Sequence, residues 1–506
     1  MGENLDRLKE RLTEIRNLNQ ANAVLAWDQQ TYMPPGGGPA RAAQMATLAQ
    51  MAHEMSSSTE MGELIRAAAS EVADLAADND DASIVRVAQR DYDKFVKVPS
   101  ALIGELTTHG SLAQSVWAKA REENDFASFA PYLEKTIELS RRMAEHLGYE
   151  DHLYDALLDI FEPGMKTAQV RAIFDDLKRD LVPMVRAIAE RADRADDAVL
   201  HQPFDEERQE AFGRMAVERY GFDFSRGRQD RALHPFCTEF SVNDVRITTR
   251  FDPKWLNPAL FGTMHEAGHG MYEQGVAQDL DDTNLAGGAS LGVHESQSRM
   301  WENVVGRGRG FWQHFYPQLQ ETFPEQLNTV DLETFYRAIN KVEPSLIRVE
   351  ADEVTYNLHI MLRFEMEVDL LEGKYPASEA PAVWNQKMQE YLGITPPDDT
   401  LGILQDIHWA HGTMGYFPTY SLGNILSLQL YDQAVQDLPE IPEQIARGEF
   451  DGLRGWLTEH IYRYGHKFEP NELVERATGQ PLQSRSYMRY LQEKFGEVYD
   501  LQLTPA

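Results

Sequence analysis

Phe261-Gly262-Thr263-Met264-His265-Glu266-Ala267-Gly268-His269-Gly270-Met271-Tyr272 is the stretch on which the reading of this chain turns. Its pattern is helical despite the glycines, and residues four apart on a helix lie one above the other on one face. His265 and His269 can therefore reach a single metal ion. Glu266, one step on from the first histidine, can then approach a water molecule held by that ion. The spacing is H-E-x-x-H, a two-histidine platform with a glutamate placed as general base.

A catalytic site of this kind needs a third protein ligand and one position left for water. A further histidine six residues after His269, with a glycine three residues after it, would complete one common pattern. Gly275 and Tyr272 stand there, so that pattern is excluded. The other common solution takes a glutamate from a following helix. Gly292-Val293-His294-Glu295-Ser296-Gln297-Ser298-Arg299 follows a glycine-rich turn and opens a helical stretch through Met300, Trp301 and Val304. Glu295 is the expected ligand. His294 competes with it, because neighbours on a helix point roughly 100° apart and spacing alone does not separate them.

Around this centre the chain has the composition of an ordinary folded protein. It has 506 residues, 42% hydrophobic and 10% aromatic, with no apolar run long enough to cross a bilayer. The formal net charge of −33, spread along the chain, repels nucleic acid and anionic membranes, so neither is expected as a partner. Cys237 is the only cysteine, which excludes an intrachain disulfide and suits a reducing compartment. With no secretory signal visible at Met1–Arg7, a cytoplasmic location is expected.

Helical periodicity dominates, beginning with the stripe Leu5, Leu8, Leu12, Ile15 and Leu18. Breakers punctuate it at 34–38, 161–164, 395–397 and 478–481. No repeat and no long linker is present. The expected organisation is one catalytic domain over 1–506, with two helical subdomains as the variant of that reading. One segment departs from the helical pattern. Apolar residues alternate in 236–242 and again in 245–251, with Asn243-Asp244 between, which predicts a β-hairpin just upstream of the metal helix. A strand edge there could hold an extended peptide by main-chain hydrogen bonds.

Further motifs occur in order along the chain: Leu25-Ala26-Trp27-Asp28-Gln29-Gln30-Thr31-Tyr32-Met33-Pro34, His234-Pro235-Phe236, Asp244-Val245-Arg246-Ile247-Thr248 and His294-Glu295-Ser296-Gln297. Ile347-Arg348-Val349-Glu350-Ala351-Asp352 and Gly402-Ile403-Leu404-Gln405-Asp406-Ile407-His408-Trp409 follow. Together with H-E-x-x-H they resemble the thermostable-carboxypeptidase (Taq-type) family of zinc metallocarboxypeptidases over essentially the whole chain. The resemblance implies a mainly α, neurolysin-like zincin fold, related also to angiotensin-converting enzyme. A deep groove and one small β-sheet or hairpin beside the metal helix complete that picture. It implies release of single amino acids from free C-termini with broad preference, stalling at proline, and a homodimer. It carries over His265, His269 and Glu295 as ligands of one zinc ion per subunit, with Co2+ or Mn2+ as substitutes, and Glu266 as the base.

An exopeptidase must also recognise a free α-carboxylate, for which the planar fork of arginine is suited. The segment from Ser345 to Leu371 reads as one long helix, with Arg348, Asp352, Thr355 and His359 along one face. Arg348 is the first candidate clamp. Arg246 is the second, unless it only braces the hairpin through Asp244. Donors for a developing oxyanion are expected in 408–420: Tyr420 first, His408 assisting, Tyr416 beside them. His234 is expected to line the site, and Cys237 to be an inert packed thiol. Rival readings are an endo-oligopeptidase or dipeptidyl-carboxypeptidase on the same fold, and a non-catalytic helical scaffold with structural zinc.

Overall fold

The apolar stripes fold as helices, and the breakers end them where the chemistry requires. In the computed structural model, which describes residues 2–503, helix accounts for 69% and strand for 4% of the chain. The first helix, α1, runs Glu3–Thr31 and buries Leu5, Leu8 and Ile15 of the predicted stripe. The Thr478-Gly479 break is a helix C-terminus, with Gly479 at φ +68°. Only glycine adopts that left-handed cap without a Cβ penalty.

Two compact units emerge from the packing. One gathers Met1–Val96, Ala198–Tyr336 and Leu430–Pro481; the other gathers Lys97–Asp197, Arg337–Gln429 and Leu482–Ala506. The first unit holds the sheet and the H-E-x-x-H helix. The predicted hairpin forms there as β2 (Cys237–Ser241) and β3 (Asp244–Thr249), paired antiparallel. A strand the sequence did not announce, β1 (Gly227–Arg231), pairs parallel with β3, giving the order β1-β3-β2. Its residues Gly227-Arg228-Gln229-Asp230-Arg231 carry no apolar alternation, so pairing with β3, not hydrophobic pattern, defines it.

The metal helix, Asn257–Gly275, begins with Pro258 in its first turn and is buried on almost every side. Its glycines are what let neighbours come so close. A Cβ on Gly268 would sit 2.6 Å from the Gln297 carbonyl oxygen and 2.7 Å from Ser298 Cα, and one on Gly270 would sit 2.6 Å from the Phe222 ring. Gly268 thus admits the helix Leu291–Arg299 against the metal helix, while Gly270 admits the sheet side. Ser290 caps Leu291–Arg299 by accepting from the Val293 N–H. After Arg299 the chain widens into a π-helical turn, Met300–Val305, a distortion that recurs at functional sites.

In the second unit the structure corrects one expectation. Ser345–Leu371 is not a single helix: Arg348–Glu350 form a short 3₁₀ turn and the α-helix begins only at Tyr356, running to Glu372. Asp352 is the reason. Its carboxylate accepts from the Val354 and Thr355 N–H groups and from the Thr355 hydroxyl, terminating the helix in the manner of a cap. The stripe of Arg348, Asp352, Thr355 and His359 therefore does not form.

Candidate metal centre and its surroundings

Helical spacing brings His265 and His269 together, and the close crossing at Gly268 delivers Glu295 to them. Glu295 Oε2 lies 3.6 Å from His265 Nε2 and 3.5 Å from His269 Nε2. Ligands about 2.0–2.1 Å from a shared tetrahedral ion stand roughly 3.3 Å apart, so these separations fit one metal. Among the described residues, His265, His269 and Glu295 are the group whose donor atoms converge, all within 4.8 Å of one another. Two imidazoles and one carboxylate match the donor set of a catalytic site with an open position. His294, the competitor, turns instead to His269, Nδ1 to Nδ1 at 2.6 Å.

Each donor is oriented from behind. Arg299 Nε donates to Glu295 Oε1 at 2.7 Å and the Ser298 hydroxyl donates to Oε2. Glu302, carried by the π-helical turn, meets His265 Nδ1 at 2.8 Å and pairs with Arg299 and Arg307. A carboxylate behind a ligating histidine fixes its tautomer and raises its basicity. Burial would raise both glutamates, but it is outweighed. Arg299 and the two imidazoles hold Glu295 well below the carboxylate range, and His265 with Arg299 brings Glu302 down to about 2. Burial lowers His269 to about 4, against the pull of Glu295, which leaves its ring neutral at physiological pH.

Glu266 differs. It is 6% exposed and makes no hydrogen bond or ion pair among the described residues. Burial, against the opposing charge of His265 and aided by Glu295 and Glu302, pushes its carboxyl up to about 7. Cys237 is half-buried, and burial followed by the Glu266 charge raises its thiol, so it is not a ready nucleophile.

Strand alternation turns Val245, Ile247 and Thr249 toward the metal helix and Arg246 to the opposite face of the sheet. There it is bidentate to Asp244 at 2.8 Å and stacks on Trp27 and Phe240. This is the bracing arrangement through Asp244 that the sequence offered as the other reading of Arg246. His234 stands exposed in the loop between β1 and β2.

The remaining predicted residues assemble in the second unit. Asp406 sits between two buried arginines, accepting from Arg348 Nη2 at 2.8 Å and from Arg363 Nε at 2.7 Å. Arg348 also donates to the Tyr356 hydroxyl at 3.0 Å and faces the Tyr420 ring. The Tyr420 hydroxyl is 3.5 Å from His408 Nε2, and the Tyr416 ring lies 5.4 Å from that imidazole. Burial lowers His408 to about 4, against the pull of Asp406. The segment carrying His408, Tyr416 and Tyr420 is tied down by Glu367, which accepts from Tyr154, Trp409 and the Gly415 N–H. Sequence reasoning missed Glu367, Arg363 and Glu302. Each is a charged residue in a helical run, where only its apolar surroundings in the fold reveal burial.

Glu367 supplies a pH test. Burial raises its carboxyl to about 7 despite its three donors. Below the unfolded carboxyl value both states are protonated and the fold bears no penalty. Between there and about 7 the unfolded chain ionises first, so stability falls as pH rises. Glu367→Gln should flatten this fall by on the order of 3 kcal/mol between pH 4.5 and 8. Denaturant midpoints of parent and variant across that range would check it, and parallel curves would refute it.

A buried carboxylate with no hydrogen-bond or ion-pair partner among the described residues, set against a converging two-histidine, one-glutamate trio, defines a metal-dependent hydrolase of the peptidase class. Comparison with known proteins agrees. Residues 7–495 match the family described as carboxypeptidase Taq (M32) metallopeptidase. The chain is 40% identical over 488 residues to "Carboxypeptidase 1" of Bacillus subtilis, covering 96% of this chain and 97% of that one. It is also 40% identical over 498 residues to "Thermostable carboxypeptidase 1" of Thermus thermophilus, covering 96% and 97%. The solved M32 carboxypeptidase of Deinococcus radiodurans superposes with a TM-score of 0.96 at 41% identity, covering 99% of this chain and all of that one. The chain belongs to the carboxypeptidase Taq (M32) family of metallopeptidases and is a metallocarboxypeptidase.

Proposed function

We propose that the protein is a zinc-dependent carboxypeptidase that removes single amino acids from the free C-terminus of peptides with broad preference. The observation that carries this reading is the convergence of His265, His269 and Glu295 next to the partnerless Glu266. His265, His269 and Glu295 would hold a divalent cation, which would supply acidification of water and polarisation of a carbonyl. Glu266 accepts the proton of the attacking water at a carboxylate oxygen and passes it to the departing amine. Tyr420 and His408 are assigned to the oxyanion, with Tyr416 packing against them. Arg348 is assigned to the terminal carboxylate, which would share its fork with Asp406. Zinc suits the donor set, and Co2+ or Mn2+ can replace it.

The partners are peptides. A net charge of −33 disfavours nucleic acid, and among the described residues no helix is long and apolar enough to span a membrane. We place the enzyme in the cytoplasm, where its single cysteine would stay reduced, and as a homodimer by its likeness to the family. A peptide with a free C-terminus should be shortened one residue at a time, and its amidated twin should be spared. Chelation should abolish the ladder. Internal cuts, or release of dipeptides, would move the assignment to an endo-oligopeptidase or dipeptidyl-carboxypeptidase.

A further inference from the structure

We propose that His294 and Glu273 form a relay that fixes which nitrogen of His269 faces the metal, making both of them positioning residues for that ligand. The inference rests on the ligand assignment above. His269 Nδ1 and His294 Nδ1 are 2.6 Å apart, and His294 Nε2 is 2.6 Å from Glu273 Oε1. Glu273 is four residues beyond His269 on the same helix, hence on the same face.

The hydrogens in this chain of contacts can be counted. A neutral imidazole carries one hydrogen, and His269 Nε2 must be bare to offer its lone pair. The hydrogen therefore sits on His269 Nδ1, which points at His294. His294 Nδ1 must then accept, so its own hydrogen lies on Nε2, where Glu273 accepts it. Every contact receives one donor and one acceptor. The reverse order places a hydrogen on His269 Nε2, directed at the metal position, and blocks ligation.

The two ligand histidines are thus supported differently. His265 ends directly on Glu302 at 2.8 Å, whereas His269 reaches its carboxylate through an intervening ring. The fold holds that ring in place. A Cβ on Gly288 would lie 2.6 Å from His294 Cδ2 and 2.9 Å from the Tyr272 ring, so the backbone packs directly on the imidazole. Glu273 is 4% exposed and has its acceptor where the relay needs it.

Zn2+ affinity of the full chain, measured by competition with a chromophoric chelator, tests the relay apart from turnover. Glu273→Leu, which removes the acceptor, and His294→Leu should each weaken Zn2+ roughly 10–100-fold, the range for partners behind a metal ligand. His294→Gln, whose amide oxygen can accept from His269 Nδ1, should lose less than His294→Leu. The Co2+ absorption spectrum of Glu273→Leu should shift as the His269 ring changes its bonding. Parental affinity in Glu273→Leu, or equal losses in the leucine and glutamine variants of His294, would overturn the relay and leave only packing. If His294→Leu does not fold, Glu273→Leu and His294→Gln carry the decision. Parental protein that binds no Zn2+ would instead remove the ligand assignment, and the relay with it.

Discussion

Glu266→Gln is expected to lower peptide turnover by roughly 10²–10⁴-fold while leaving the metal content at the parental level. The substitution keeps shape and volume and removes only the capacity to take a proton. No hydrogen bond or ion pair to Glu266 exists among the described residues, so no folded contact is lost. The three converging donors belong to other side chains and remain. Parallel measurement of kcat/KM and of bound metal separates the outcomes. A near-parental rate would take Glu266 out of the chemistry, and loss of metal would make it a ligand instead.

The second large effect is expected on stability. Asp406→Asn leaves Arg348 and Arg363, 5% and 0% exposed, without the carboxylate they share. Removing one partner from a buried ion pair strands the opposing charge, which costs about 3–5 kcal/mol. Here two guanidinium groups lose one counter-ion. The side chain changes by a single atom, so packing is preserved and the loss is electrostatic. Chemical unfolding should show a large drop in midpoint, whereas an unchanged midpoint would mean that water or the remaining hydrogen bonds carry the two charges.

These expectations show where sequence was informative. The histidine pair was legible because its geometry is local: a spacing of four on one helix needs no knowledge of the rest of the chain. The hairpin was legible because Asn243-Asp244 interrupts two alternating runs. Glu295 was reachable as one of two neighbours, but choosing it over His294 required the helix crossing that only Gly268 permits. β1 stayed hidden because its five residues are polar or glycine and its identity comes from a partner strand. Arg348 was found, but its setting was misread. The periodicity of 345–371 continues through a point where the Asp352 carboxylate takes the backbone N–H groups of the next turn. Arg246 posed a related problem. Alternation along β3 was visible, but which face met the metal helix was not, and Val245 and Ile247 claim that face.

The wide turn at Met300–Val305 has a consequence of its own. It accommodates one more residue than a regular helix would, and Glu302 meets His265 because of that surplus. A deletion ahead of Glu302 in this turn would rotate everything downstream by about 100° and carry Glu302 away, although the three donors precede it and would stay. Chain length in that turn therefore matters alongside the identity of Glu302. Two relatives with the same residues but a gap ahead of Glu302 would keep the three donors and lose the carboxylate behind His265.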